Sequence, residues 1–138
     1  MAVRGQSWSF DDIPQGYIHV FGAYALTADE VERFKATFAP GTTATADEAD
    51  QTHIFAVWSR MFWEETRDWP VLARLGTDAL RWLTPAKIGD VLQVRMECVA
   101  KEPVSDERGI LIAKHEVLNQ DGGLVMSVIT RTALKRTS

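Results

Sequence analysis

The feature that most constrains this chain is a change of hydrophobic period part-way along it. From Leu92 to Ala100 the apolar residues fall on every second position. Leu92, Val94, Met96, Cys98 and Ala100 alternate with Gln93, Arg95, Glu97 and, as the one apolar residue on that outer face, Val99. Strict alternation specifies a strand that buries one face only. Residues 110–118 repeat the pattern. Asn119-Gln120-Asp121-Gly122-Gly123 is a hairpin turn, and 124–134 form the returning strand. Residues 79–83 make a shorter strand, followed by a turn over 85–90. The second half of the chain is therefore antiparallel sheet, and something must cover its apolar face.

The first half supplies the cover. After a polar lead at 1–9 and a Pro/Gly-punctuated turn at 10–16, residues 17–26 are rich in β-branched and aromatic types and read as a strand. Thr27 and Glu30 form a capping box, in which the threonine hydroxyl accepts from the Glu30 amide and the carboxylate reaches back. Val31, Phe34 and Phe38 keep one face of the helix that follows, and Pro40-Gly41 ends it. A second capping box is read at Thr45 and Glu48. Behind it Phe55, Trp58, Met61 and Phe62 recur at helical spacing to about Arg67, with an interruption expected near 54–57. Asp68-Trp69-Pro70 is expected to start a short helical turn, with Gly76 past its end. Strand, helix, helix and four antiparallel strands make an α+β chain. One amphipathic helix lying on a curved antiparallel sheet, the hot-dog geometry, would bury Phe55, Trp58 and Phe62.

A chain of 138 residues, 46 % hydrophobic and 25 % charged, holds one core, so 1–138 is read as a single domain. That composition excludes a disordered chain, a collagen-like fibre and a disulfide mini-protein. A net charge of −4 argues against a nucleic-acid partner. Cys98 is the only cysteine, so it closes no disulfide within the chain, and it is read as a small buried hydrophobe in a reducing compartment. No apolar run approaches a membrane span and no hydrophobic signal segment opens the chain, so the expectation is a cytoplasmic protein without a membrane partner.

Several stretches resemble the MaoC-like acyl dehydratase family, the (R)-specific enoyl-CoA hydratases. Phe10-Asp11-Asp12-Ile13 through Gly16 resembles the family's opening, and Leu26-Thr27-Ala28-Asp29-Glu30-Val31 with Phe34 its first helix. The longest match is Leu80-Arg81-Trp82-Leu83-Thr84-Pro85-Ala86-Lys87-Ile88-Gly89-Asp90-Val91-Leu92. Arg108-Gly109-Ile110, and Val117-Leu118-Asn119-Gln120 with Gly122, fit the later strands. The resemblance implies a hot-dog fold, a dimer with substrate clefts between subunits, and reversible hydration of a 2-enoyl-CoA without a cofactor. That reaction needs a group to deprotonate water, a proton donor to carbon and amide donors at the thioester oxygen.

In the family an aspartate and a histidine five residues apart do this work, just before the central helix. Aligned without a gap on Phe38, Pro40 and Glu48, those two positions fall on Ala39 and Ala44. The family's glycine turn falls on Phe55-Ala56-Val57. The candidates for substitute catalytic groups are His53, Glu64 and Asp47. Each also has a structural reading, as a packing histidine, a solvated helix end and a capping residue. Glu48 and Glu65 share these readings. Thr42, Thr43, Ala56, Val57 and Trp58 are the candidate substrate-binding residues. His19 and His115 have no partner at ligand spacing, so no metal site is expected. Lys87 is a possible phosphate contact, and Trp63 and Trp69 are candidates for a subunit contact or a narrowed acyl tunnel. The expected partners are an acyl-CoA or acyl-carrier thioester and a second copy in a homodimer or higher homo-oligomer, with a paralogue subunit as a further possibility. Three functions stay open: a hydratase with a rewired site, a non-catalytic thioester-binding or partner subunit, and a hot-dog thioesterase.

Overall fold

The computed structural model describes residues 8–137, so most of the polar lead lies outside the described residues. A 3₁₀ turn at Phe10–Asp12 opens the described chain. It is followed by β1 (Ile18–Ala25), α1 (Ala28–Phe38), α2 (Gln51–Thr66), β2 (Val71–Trp82), β3 (Val91–Pro103), β4 (Arg108–Leu118) and β5 (Leu124–Lys135). The five strands form one antiparallel sheet in the order β1-β3-β4-β5-β2, which leaves β1 and β2 as its edges. The alternation read over 92–100 is visible as Leu92, Val94, Met96 and Cys98, all buried. Helix α2 lies across the sheet against β1 and β3 and buries Ile54, Val57, Trp58, Met61 and Phe62. This is the α+β hot-dog arrangement expected from the sequence.

Two glycines make close approaches possible. Gly22 in β1 sits at φ +89, and a side chain there would meet the Met61 sulfur of α2 at 2.6 Å. Without a Cβ at that point the helix can lie directly on the strand. Gly109 in β4 gives the same room to Phe10, whose ring would be 2.5 Å from an added Cβ.

The structure departs from the sequence reading in four places. The stretch after Asp68 is not a helical turn; it enters β2 at Val71, so Gly76 lies inside a strand. That strand is long because it pairs with β5 throughout, and it reaches the pairing only through register shifts at Val71/Ala73, Arg74/Gly76 and Asp78/Arg81. Those shifts erase the period-two signal a sequence reader needs. Helix α2 runs unbroken through 54–57. Its cap is not the second capping box but Asp50, whose carboxylate accepts from the Thr52 amide at 3.0 Å. Thr45 instead bonds Asp47 at 2.7 Å within a turn. Finally, Thr27 caps α1 as expected, with the Glu30 amide at 3.3 Å, but the Glu30 carboxylate does not reach back. It is held by Tyr24 and His53, two stronger partners that only folding brings near.

Candidate functional site

The segment between α1 and α2 and the end of β2 face one another across a cavity of about 290 Å³. Thr42, Thr43 and Ala44 line it from the loop. Asp50, Gln51 and Ile54 line it from the start of α2, and Trp82 and Leu83 from the end of β2. A bond from Trp82 Nε1 to the Gln51 carbonyl, 3.1 Å, ties the two walls together. Asp50 joins cap and loop: it accepts from Thr42 Oγ1 at 3.1 Å and from both the amide and the hydroxyl of Thr52. These bonds, the Thr52 hydroxyl foremost, hold its carboxyl below the usual carboxylate range. Asp50 is therefore a carboxylate at neutral pH. The first turn of α2 lines the cavity, but its donors are already engaged: the Thr52 amide donates to the Asp50 carboxylate, and the His53 and Ile54 amides to the Asp50 carbonyl. Sequence reasoning placed the helix start at Thr45 and so passed over Asp50. Its signal was the Asp50-Gln51-Thr52 run immediately before the apolar periodicity.

The expected site residues divide between this cavity and other places. Thr42, Thr43 and Ala44 line it, as does Glu48. His53 does not. It is 3 % exposed, stacks on Phe34 at 4.5 Å and approaches Glu30 with Nε2 at 3.1 Å, while its Nδ1 has no partner. Glu30 also accepts from the Tyr24 hydroxyl, and burial with this carboxylate beside it pushes the Tyr24 pKa up to about 12. Asp47 is exposed and held by Thr45, whose hydroxyl keeps its carboxyl low. Glu64 pairs with Arg60 at 2.7 Å on the far half of α2, beside Tyr24 and Gly22. Glu65 pairs with His19 of β1 at 2.7 Å. Ala56 is exposed on α2 and Val57 is buried in the core. Lys87 stands in the turn after β2, where its amide donates to Asp90 at 2.9 Å.

Trp58 belongs to a buried polar chain. Its Nε1 donates to His115 Nδ1 at 3.1 Å, and His115 Nε2 meets Thr130 Oγ1 at 3.0 Å. Burial, with Arg74 adding to it, pushes the His115 pKa down to about 3, so the ring is neutral. Trp58 also edges a second, more open cavity of about 430 Å³ between α2 and the β2–β5 pair, together with Phe55, Phe62, Trp63, Arg74 and Thr77. Trp63 is 52 % exposed beside it. Trp69 is buried in the core and so is not available for a subunit contact within this fold.

No family model matches the sequence, and no curated protein matches it. The fold is shared with solved structures. A MaoC-like dehydratase from Rhodospirillum rubrum superposes with a TM-score of 0.83 at 20 % identity, over 96 % of this chain and 99 % of that one. An R-hydratase from Pseudomonas aeruginosa gives 0.70 at 19 %, over 94 % and 86 %. A Mycobacterium tuberculosis protein with a double hot-dog fold gives 0.77 at 17 %, over 98 % of this chain and 46 % of that one. At these identities the likeness is one of fold.

Proposed function

We propose that the chain is a MaoC-like acyl-thioester protein that binds an acyl-CoA or acyl-carrier thioester in the cavity at the start of α2, and that it lacks the hydratase dyad of that family. The observation that carries this reading is the lining of the cavity. Ala44, the position aligned with the family histidine, stands in its wall, and no imidazole does. His53, the nearest histidine in sequence, is turned away to Glu30. The groups that remain suit binding. Thr42 and Thr43 supply hydroxyls, and Ile54 and Trp82 supply apolar wall. On this reading the aspartate–histidine relay of the family is absent, because the aligned positions are Ala39 and Ala44. The working form is a homodimer, or a complex with a paralogue that carries the dyad.

A second reading rests on Asp50 and Glu48, two carboxylic residues that line the cavity. Either could act as a general base toward water, giving a rewired hydratase or a thioesterase. One experiment separates these. The purified protein is titrated with a panel of trans-2-enoyl-CoA thioesters by calorimetry, and the same samples are followed for loss of enoyl absorbance and release of free thiol. Binding with neither signal supports the proposal. Absorbance loss without thiol means hydration, and thiol release means thioester hydrolysis; in either case Asp50→Asn and Glu48→Gln identify the base. No binding overturns the reading.

A further inference from the structure

The two cavities on the open side of α2 are opposite in charge. The one at the start of the helix is lined by Glu48 and Asp50 and, among the described residues, by no basic side chain. The one beside the second half of the helix, about 430 Å³, is lined by Arg74 and Arg131 and, among the described residues, by no acidic side chain. A chain of net charge −4 would not place cations alone around a cavity by composition. The rest of the wall is largely aromatic, from Phe55, Trp58, Phe62 and Trp63. An apolar pocket of this size with a few polar groups is what small ligands fill.

The two arginines are not equivalent. Arg131 is already paired, with Glu102 at 3.2 Å. Arg74 enters no ion pair among the described residues. It is nonetheless held in place. Its guanidinium lies 4.7 Å over the Phe62 ring, and Nη2 donates to Thr66 Oγ1 at 3.0 Å. The Thr66 hydroxyl is itself fixed by donating to the Phe62 carbonyl at 2.7 Å. Ring and hydroxyl both come from α2, so the helix positions a cation that β2 carries, and neither group neutralises it. Partial burial lowers the Arg74 pKa from the ordinary arginine value, and its charge opposes protonation of the buried His115. A fixed, partly desolvated guanidinium without a counter-charge is unfavourable until an anion meets it.

We propose that this cavity binds a carboxylate carried on an apolar body, with Arg74 as the residue that recognises the charge. The planar fork of a guanidinium meets a carboxylate through two parallel N–H···O bonds, and the rings take the apolar body. A phosphate, with its higher charge, would find one free cation here among aromatic walls. Two kinds of molecule present the right chemistry: a free apolar acid, and an acyl thioester whose chain ends in a carboxylate. The second deepens the functional reading above and rests on it. Gln51 and Ile54 line the first cavity, and Phe55, Trp58, Ser59 and Phe62 the second. These positions recur at helical spacing, so one face of α2 leads from the site read for the thioester toward Arg74. Glu48 and Asp50 repel a negative chain end from the first cavity, which leaves Arg74 to receive it.

The test uses pairs of probes that differ only in charge, titrated into the full chain by calorimetry and by tryptophan fluorescence. Hexanoate is compared with hexanamide, and adipyl-CoA with hexanoyl-CoA. The carboxylate of a pair is expected to bind about tenfold more tightly than its uncharged partner. Arg74→Gln should remove that preference, and Arg74→Lys, which keeps the charge but loses the fork, should retain part of it. Arg131→Gln should leave it within about twofold. The comparison of acid with amide is made on the unaltered chain, so it stands even where a variant fails to fold. A preference for adipyl-CoA that depends on Arg74 assigns the site to the end of an acyl chain. Equal affinity for the two thioesters, beside a preference for hexanoate, assigns it to a free acid. No carboxylate preference in either pair overturns the proposal, as does a preference that survives Arg74→Gln. A hexanoate preference without binding of either thioester defeats the functional reading alone. Thioester binding without any carboxylate preference defeats this proposal alone.

Discussion

The two sides of α2 differ in kind. Toward α1, β1, β3 and β4 the helix is closed: Trp58, His115 and, from β5, Thr130 satisfy one another inside a packed core, and His53 is sealed against Phe34 and Glu30 of α1. Toward β2 it is open, with cavities of about 290 and 430 Å³ and a tryptophan in solvent. One helix thus spends one face on stability and leaves the other beside open cavities. The closed side buries its aromatic bulk and its hydrogen bonds together, whereas on the open side Trp82 and Trp63 stay partly in solvent. A side chain on the first is expected to report in unfolding experiments, and one on the second in binding and assembly.

The sharpest way to break this contrast is Trp58→Ala. It empties the closed side and strands His115, and is expected to lower unfolding free energy by about 3–5 kcal/mol in urea titrations. A loss below about 1 kcal/mol would mean that the closed side is not packed as described. Next is pH. His115 titrates near 3 in the folded chain and near its ordinary 6.5 when unfolded, so only the unfolded chain takes up the proton between those values. Its contribution is complete above pH 6.5 and declines as the pH falls toward 3. Stability should drop by about 2 kcal/mol between pH 7.5 and pH 5. In His115→Leu, which leaves Trp58 Nε1 unpaired and starts from lower stability, that share of the pH slope disappears. Asp50→Ala, on the boundary of the two sides, removes the α2 cap and the Thr42 bond. Urea unfolding should record a loss of about 1 kcal/mol. The smallest expected effect is Trp63→Ser on the open side, which should change unfolding by within about 0.5 kcal/mol when chains are dilute, yet weaken self-association in sedimentation. A large stability loss in the dilute chain would move Trp63 to the closed side.

Legibility in the sequence followed the same division. The strands β3, β4 and β5 were read close to their observed limits because one buried face imposes a period of two, and α1 because Thr27 and the Val31–Phe34–Phe38 face mark it locally. Strand β2 was half missed, since its bulges break the alternation and an exposed strand has no buried face to write in the sequence. At the candidate site, Thr42 and Thr43, singled out from their position before the helix, line the cavity together with Ala44. His53 and Glu64 were separated from it by helical geometry. One faces Glu30 and the other lies on the far half of α2 toward β1, and neither direction is visible until the helix is docked.

The amino-acid sequence by itself determined the antiparallel sheet, the covering helix and the methyl groups at Ala39 and Ala44, because periodicity and residue identity are local properties. Tertiary structure alone decided that Asp50 caps α2 beside the cavity, that Glu30 abandons its own helix end for Tyr24 and His53, and that β2 is left bare. Each of these depends on which distant group a side chain meets, and a polar group takes the partner that burial makes available.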